Sequence, residues 1–132
     1  FENGLVGTIP SEVGLLSRIY SFHLGKNKIY GTIPSEIGMM SQLTSLGLSE
    51  NIIEGTIPSE VGILLHLEEI LLEKNKIHGT IPSEIVMMSQ LHTIMLDRNK
   101  INGTIPPKIS MLSQLKRLSL SENNIHGTIP SE

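Results

Sequence analysis

Hydrophobic residues recur along this chain with a period of 24 residues. Four columns of the repeat are apolar in every copy, and one copy shows them as Met40, Leu43, Leu46 and Leu48. The tetrapeptide Gly-Thr-Ile-Pro also returns once per period, beginning at Gly7, Gly31, Gly55, Gly79, Gly103 and Gly127. Self-similarity at this period indicates a solenoid, in which each repeat is a small unit that buries its apolar side against its neighbours.

The period divides residues 1–132 into a single array. We predict a half-repeat at 1–6, full repeats at 7–30, 31–54, 55–78, 79–102 and 103–126, and a half-repeat at 127–132. Both ends of the array therefore fall inside a repeat.

Each repeat predicts a short strand that is followed by a polar turn. Leu46 and Leu48 alternate with a variable position, which is the period-2 pattern of a strand whose apolar residues point inward. Copies of this strand are expected to pair as a parallel sheet with a spacing of about 4.8 Å. An asparagine follows three residues later in every copy, at Asn27, Asn51, Asn75, Asn99 and Asn123. A buried amide there can satisfy backbone groups that have left the sheet, so we predict an asparagine ladder.

The Gly-Thr-Ile-Pro segment and the residues after it predict the return path of each repeat. Gly permits backbone angles that are closed to other residues, and Pro fixes φ and ends the extended segment. Ser35 and Glu36 follow Pro34 and predict a helix start, with a serine that can cap it and an acid in its first turn. Ile37 and Met40 then fit one turn of 3₁₀ or α helix under the sheet.

Composition excludes several classes of function. The formal net charge is -3 and no basic run exists, so nothing favours a nucleic-acid partner. No apolar stretch approaches the ~18 residues that a membrane span needs. There are no cysteines, which excludes disulfides, thiol catalysis and cysteine-based zinc sites.

The residues from Met40 to Val61 read LxxLxxLxLxxNxIxGxIPxxI. This pattern, which covers the whole chain, resembles the plant-type leucine-rich repeat. The resemblance implies an α/β solenoid: a right-handed superhelix with a concave parallel β-sheet, convex 3₁₀ or short helical turns, and a short second strand near the Gly-x-Ile-Pro segment. The uniform Thr and the phrase GTIPSEIG are also similar to algal, notably diatom, versions of these repeats. The departures from the pattern, Val86 and Ser110 for Gly and Pro107-Lys108 for Ser-Glu, lie on the predicted convex side.

The resemblance further implies a receptor-like or secreted protein that is extracellular or part of a cell-surface ectodomain. Its expected partner is a protein or peptide ligand. Because the family's cysteine-containing caps are absent, we expect a fragment of a longer array, whose exposed apolar layers at Leu5 and Ile129 predict end-to-end self-association.

We find no constellation that predicts catalysis, and we predict neither a cofactor nor a metal site. The five histidines fall in four different columns, so they do not converge. Glu73 and Asp97 share one column on adjacent strands and are expected to face outward side by side. Two carboxylates fall short of a calcium site, and we expect Lys74 and Arg98 to neutralise them in a surface charge lattice.

The concave face holds the predicted ligand-binding residues. Its columns vary in size and charge while the core columns do not, and Leu71 and Met95 form an apolar centre with a charged rim, as protein interfaces often do. The candidate residues are Tyr20, His23, Glu69, Leu71, Glu73, Met95, Asp97, Arg98 and Arg117.

Two further features leave alternatives open. A threonine occupies one column in every copy, at Thr8, Thr32, Thr56, Thr80, Thr104 and Thr128. Such a row resembles the surface of some ice-binding solenoids, but β-branched Thr also suits a short extended segment. Asn102-Gly103-Thr104 is a glycosylation sequon, usable in a secreted parent protein.

Overall fold

The chain is described by a computed structural model over residues 3–131; Phe1, Glu2 and Glu132, which belong to the predicted half-repeats, lie outside the described residues. Its main sheet contains five parallel strands in the order β2-β4-β5-β7-β9. Their bounds are Ser21–His23, Ser45–Gly47, Glu69–Leu71, Thr93–Met95 and Arg117–Ser119. Neighbouring strands pair residues that are one period apart, as Leu46 does with Ile70. The predicted strand and its parallel pairing are confirmed.

The apolar columns form one continuous core beneath this sheet. In the central coils Met40, Leu43, Leu46 and Leu48 are each at most 1% exposed. Each coil supplies the same set of side chains to its layer, so the core extends by stacking and needs no central helix or large aromatic residue. The four predicted apolar columns thus face inward, as the sequence indicates.

The asparagine ladder is also confirmed, and it joins successive coils. Asn99 is 9% exposed, and its Nδ2 donates to the carbonyl oxygens of Leu96 at 3.1 Å and Asp97 at 3.3 Å in its own coil. The same amide donates to Leu72 O of the preceding coil at 2.9 Å, while Oδ1 accepts from the Ile77 amide at 3.0 Å. One side chain therefore satisfies buried backbone groups on two coils at once.

A column of left-handed residues stands directly before the asparagines. The φ angles of these charged residues lie between 54° and 57°, at Lys26, Glu50, Lys74, Arg98 and Glu122. Non-glycine residues rarely adopt this region, because Cβ crowds the backbone. The turn by which the chain leaves the sheet requires this left-handed conformation in every coil. The hydrogen bonds of the asparagine that follows stabilise the turn.

The Gly-Thr-Ile-Pro segment packs through its glycine and threonine. Gly55 has a φ of 78°, and a Cβ at this position would lie 2.7 Å from Cγ2 of Thr32 in the preceding coil. The glycine is therefore needed both for its backbone angle and for close approach of the threonine methyl. Equivalent contacts recur along the column, so the threonine has a packing role.

A second set of short parallel strands lies beside this segment, as the resemblance implies. β1 pairs with β3, and β6, β8 and β10 form a three-stranded sheet. A single bridge between Thr32 and Glu54 lies between the two groups. The strands are Val6–Gly7, Lys28–Ile29, His78–Gly79, Lys100–Gly103 and Asn124–Ile125.

The return path of each coil contains a short 3₁₀ helix. These helices are η1 to η5, at Ser11–Leu15, Ser35–Met39, Ser59–Ile63, Ser83–Met87 and Ile109–Met111. The predicted capping by serine is wrong. Pro34 occupies the N-cap of η2, and no side chain in the described part of the chain caps it. Ser35 is the first helical residue, so its hydroxyl lies past the cap and contacts Glu36 Oε2 at 3.3 Å.

Close packing of adjacent 3₁₀ helices requires glycine in the middle of η1, η2 and η3. A Cβ on Gly62 would lie 2.8 Å from the carbonyl oxygen of Glu84 in the next coil. Val86 replaces this glycine in the fourth repeat, and there the following helix starts only at Ile109, after Pro107-Lys108. Val86 and Pro107-Lys108 line the same depression, so these departures from the repeat pattern are adjacent in space.

Candidate ligand-binding surface

Two columns of the main sheet point away from the core and form what we call the concave face. The strand register places Ser21, Ser45, Glu69, Thr93 and Arg117 side by side in the first column. The second column contains His23, Gly47, Leu71, Met95 and Ser119. Unlike the core columns, these two vary in size and charge along the sheet.

Leu71 and Met95 form the apolar centre of the concave face. They are register partners on β5 and β7, and both are half-buried. Gly47 precedes them in the column and Ser119 follows, so the apolar area has small residues on both sides. The structure thus brings together the two residues that the sequence predicts as the centre of an interface.

A chain of hydrogen bonds crosses the first three strands. Ser45 Oγ donates to Glu69 Oε2 at 2.9 Å, and Nε2 of His23 lies 2.7 Å from the same Ser45 oxygen. Because the single Ser45 proton is directed to the carboxylate, His23 Nε2 acts as the donor to Ser45. These bonds hold the imidazole over Gly47, where a Cβ would lie only 2.7 Å from His23 Cδ2.

A depression of about 370 Å³ opens beside the histidine. It is lined by His23, Gly25, Lys26, Gly47, Ser49 and Leu71. Two of the lining residues are glycines, so the backbone of β4 and of the segment after β2 forms part of its floor. Its volume lies at the lower end of the range for ligand pockets, and its lining combines the apolar Leu71 with the cation of Lys26 and the hydroxyl of Ser49.

Asp97 is held by the following coil. Its Oδ1 accepts hydrogen bonds from the hydroxyl of Ser119, from the Ser121 hydroxyl at 2.8 Å and from the Ser121 amide at 3.2 Å. Burial raises the pKa of this carboxyl, but the bonds from Ser119 and Ser121 together outweigh it, and the pKa is lowered from its usual value. Asp97 is therefore an anion that already has partners.

Glu73 and Asp97, which the sequence predicts to face outward side by side, have different surroundings. Asp97 bonds to Ser119 and Ser121, while Oε2 of Glu73 is buried and has no hydrogen-bond partner among residues 3–131. The cause is the next coil, in which Ser119 and Ser121 offer Asp97 donors that Glu73 does not have. Among residues 3–131, no group of three histidine or acidic side chains is arranged to hold a metal ion.

Lys74 and Arg98 lie in a surface charge network, and the charge of Asp97 acts on Arg98, but their direct ion pairs are with other acids. Lys74 Nζ lies 3.2 Å from Glu50 Oε2, and Arg98 Nε donates to Glu122 Oε1 at 2.9 Å. Both cations thus pair within the left-handed column, with the residue one coil before or after them. The hydrogen bond and the charge of Glu122 raise the pKa of Arg98 above its usual value, so the guanidinium stays charged.

Tyr20 and Arg117 lie at the margins of the concave face. Tyr20 immediately precedes β2 and is 64% exposed, and its carbonyl accepts the amides of Thr44 and Ser45. Arg117 is exposed on β9, and Thr93 separates it from Glu69 in the register. The predicted charged rim is therefore spread over several strands, with Glu69 and Arg117 two strands apart.

The remaining sequence candidates lie away from this surface. Asn102 is exposed in β8, where it is in register with Asn124. The threonine column is exposed, and its methyl groups contact the glycines of the following coil. Among the histidines, His92 lies 3.6 Å from Glu68 in the adjacent coil. In the part of the chain that the structure describes, no helix has the length and apolar character of a membrane span.

Comparison with known proteins places these repeats in a family. A Leucine Rich Repeat family model matches residues 42–64 and 114–132. The plant peptide hormone receptor RGFR1, solved in complex with RGF2, is 38% identical over 95% of this chain, with a TM-score of 0.93. PEPR1, solved with AtPEP1, is 36% identical over 96% of the chain, with a TM-score of 0.94. The chain is a plant-type leucine-rich repeat protein.

A third similar structure is that of the Arabidopsis receptor kinase HAESA in complex with the peptide hormone IDA and the co-receptor SERK1. It is 34% identical over 95% of the chain, with a TM-score of 0.92. The leucine-rich repeat chain spans about a fifth of the length of these receptors: 20% of RGFR1, 18% of PEPR1 and 21% of HAESA. No curated protein matches its sequence.

Sequence reasoning missed three serines of this leucine-rich repeat surface. Ser45, Ser119 and Ser121 orient the candidate side chains His23, Glu69 and Asp97. The spacing in the sequence could have identified them, because each serine lies 24 or 22 residues from a polar candidate residue. Residues in one column are adjacent in a solenoid, so a serine beside an acid in a polar column predicts a hydrogen bond.

Proposed function

We propose that this leucine-rich repeat chain is a non-catalytic recognition module that binds a protein or peptide segment through its concave face. The observation that carries the proposal is the apolar centre of Leu71 and Met95 beside the depression around Gly47. An extended ligand that crosses the strands would place one side chain in the depression and lie across the apolar centre. Fixed polar groups from His23 and Asp97 on either side would set its register.

The proposal places the module in the extracellular part of a receptor-like or secreted protein. Its support is the likeness to the peptide hormone receptor RGFR1 solved with RGF2, to PEPR1 solved with AtPEP1, and to HAESA solved with the peptide hormone IDA. The shape of the surface also favours such ligands, because a broad sheet face suits an extended chain better than a small substrate. The hydrogen-bond chain of His23, Ser45 and Glu69 gives no support to catalysis, since histidine donates to the serine and does not accept its proton.

Selection of peptides from a random 12-residue display library tests the proposal. The immobilised protein is the target, and the dissociation constants of enriched peptides are then measured against a variant that combines Leu71→Arg, Met95→Glu and Arg117→Glu. We expect at least a tenfold loss of affinity, because the first two changes bury a charge at the apolar centre. Far-UV circular dichroism checks that the variant, whose changes lie outside the core columns, remains folded.

A matched control carries Tyr30→Gln and Ile52→Gln, two exposed hydrophobic residues outside the main sheet. Its affinity should equal that of the wild type. If no peptide is enriched, or if affinity survives in the concave-face variant, the proposed function is wrong.

Ice binding through the threonine column has no support from these observations. The contact of each threonine methyl with a glycine of the next coil accounts for the column through packing. The similar structures are receptor ectodomains with peptide or protein partners. We therefore do not propose it.

A further inference from the structure

The opposite side of the solenoid carries an unpartnered apolar stripe. One column, at the last residue of η1 to η5, contains a large hydrophobic side chain in every full repeat. The exposed fractions are 76% for Leu15, 56% for Met39, 63% for Ile63, 64% for Met87 and 57% for Met111. Packing against the preceding coil covers part of them, since Met39 Sδ would lie 3.1 Å from a Cβ on Gly14. More than half of each side chain still faces solvent, in an unbroken row across five coils.

A row of carboxylates runs beside the stripe. Each belongs to the first turn of a 3₁₀ helix and comes three residues before the stripe residue, at Glu12, Glu36, Glu60 and Glu84. Within residues 3–131, none of these carboxylates takes part in an ion pair; their polar contacts are the neighbouring serine hydroxyls. In the fifth full repeat Lys108 replaces the glutamate. An apolar stripe with an uncompensated acidic edge therefore covers four coils.

We propose that this stripe and its acidic edge bind a basic amphipathic helix of a partner protein. Single-sign charge along one edge selects a partner of opposite charge, and uninterrupted exposed apolar surface of this kind marks interaction sites. The partner helix lays its apolar face on the stripe and directs lysine or arginine side chains to the glutamate row.

The spacing of the coils favours a helix along the stack. An α-helix presents its apolar face once per turn, about every 5.4 Å, and coils stack about 4.8 Å apart at the sheet. Over four coils the mismatch accumulates to roughly 2 Å. Flexible methionine side chains at Met39 and Met87 absorb an offset of this size. The matching helix has about four turns, or roughly 15 residues.

The acidic edge also distinguishes this partner from a membrane. Anionic lipid surfaces attract basic protein segments, and a row of four glutamates beside the apolar residues opposes such contact. A partner protein with a basic helix is therefore the occupant that the charges select. This inference concerns a different face from the proposed peptide-binding surface and does not depend on it.

Binding of a designed peptide tests the inference. The probe is a fluorescein-labelled, 16-residue peptide of leucine and lysine, with leucines spaced to form one face of a helix. Its fluorescence anisotropy is measured with the 132-residue protein at two salt concentrations. Two comparison peptides are a scrambled sequence of the same composition and a helical peptide in which glutamate replaces lysine.

Three protein variants separate the contributions. The first combines Met39→Gln, Ile63→Gln and Met87→Gln and removes the stripe. The second combines Glu36→Gln, Glu60→Gln and Glu84→Gln and removes the acidic edge. The third is the control with Tyr30→Gln and Ile52→Gln. All the changed side chains lie outside the buried core, and thermal unfolding verifies that each variant is folded.

We expect the leucine–lysine helix to lose at least tenfold in affinity for the first variant and none for the control. The acidic-edge variant should lose severalfold and also lose the salt dependence of binding. Equal binding of the scrambled or glutamate peptide, or full affinity in the first variant, would overturn the proposal. Stripe-dependent binding to phosphatidylserine vesicles without peptide binding would assign the face to a membrane and overturn it as well.

Discussion

Replacing Asn99 with alanine tests the asparagine ladder as the main connection between coils. The two N–H groups of its amide are shared among the carbonyls of Leu72, Leu96 and Asp97, and its oxygen accepts the amide of Ile77. The substitution removes about three hydrogen bonds, each with a net value of ~1 kcal/mol. It also leaves buried backbone groups without partners, so we expect a loss of about 3–4 kcal/mol in the free energy of unfolding.

Asn27→Ala is the matched comparison at the edge of the array. Asn27 makes bonds of the same type to Leu24, Gly25 and Leu5, but it is only half-buried and Leu5 is exposed. Water can replace the lost partners there, so we expect a loss of about 1 kcal/mol. Urea unfolding followed by far-UV circular dichroism measures both values. A cost for Asn99→Ala below that of Asn27→Ala would refute the reasoning.

Three other substitutions examine separate parts of the structure. Gly62→Ala should destabilise the fold by about 1–3 kcal/mol in urea unfolding, because its Cβ would lie 2.8 Å from the Glu84 carbonyl oxygen; a neutral result would contradict the close helix packing. Asp97→Asn should lower stability at pH 7. Since the folded-state pKa of Asp97 is lowered, the difference from the wild type should shrink as pH falls below about 4, and a constant difference would refute this. After passage through a plant secretory pathway, a glycan should be lost in Asn102→Gln and Thr104→Val but retained in Thr104→Ser, as mass spectrometry can verify.

The repeat architecture could be predicted because every coil buries side chains from the same columns in the same way. Leu46 and Leu48 must both face inward if the strand is to stack, and Asn51 must satisfy the backbone where the strand ends. Each column therefore has a single physical role, and 24-residue periodicity places its members next to one another. The parallel register follows from this without any further information.

The directions of polar side chains could not be predicted from the columns. Arg98 follows Asp97 in the chain and lies one period before Glu122, and it forms its ion pair with Glu122. The carboxylate of Asp97 could point toward Glu73 or toward the next coil. It points toward the next coil because the hydroxyls of Ser119 and Ser121 donate hydrogen bonds to it. A column identifies which residues are adjacent, whereas backbone angles and competing donors determine which of them bond.

The exposure of the stripe could not be predicted from the sequence, for a different reason. Its residues, such as Met39 and Met87, directly precede the buried Met40 and Met88, and hydrophobicity alone does not separate the two columns. The 3₁₀ geometry separates them, because one column lies under the sheet and the other ends the helix on its outer side. The sequence predicts a helix start at Ser35-Glu36 and is compatible with either 3₁₀ or α hydrogen bonding.

The methionines allow the central claim to be measured directly. Met40 and Met88 are buried in the core, Met95 lies on the concave face, and Met39, Met87 and Met111 lie on the stripe. Selective ¹³C labelling of the methionine methyl groups gives six NMR signals that report three regions of the molecule. On titration with a library-selected peptide, we predict that the Met95 signal shifts while those of Met39, Met87 and Met111 do not. Shifts confined to the stripe, with an unchanged Met95 signal, would contradict recognition through the concave face.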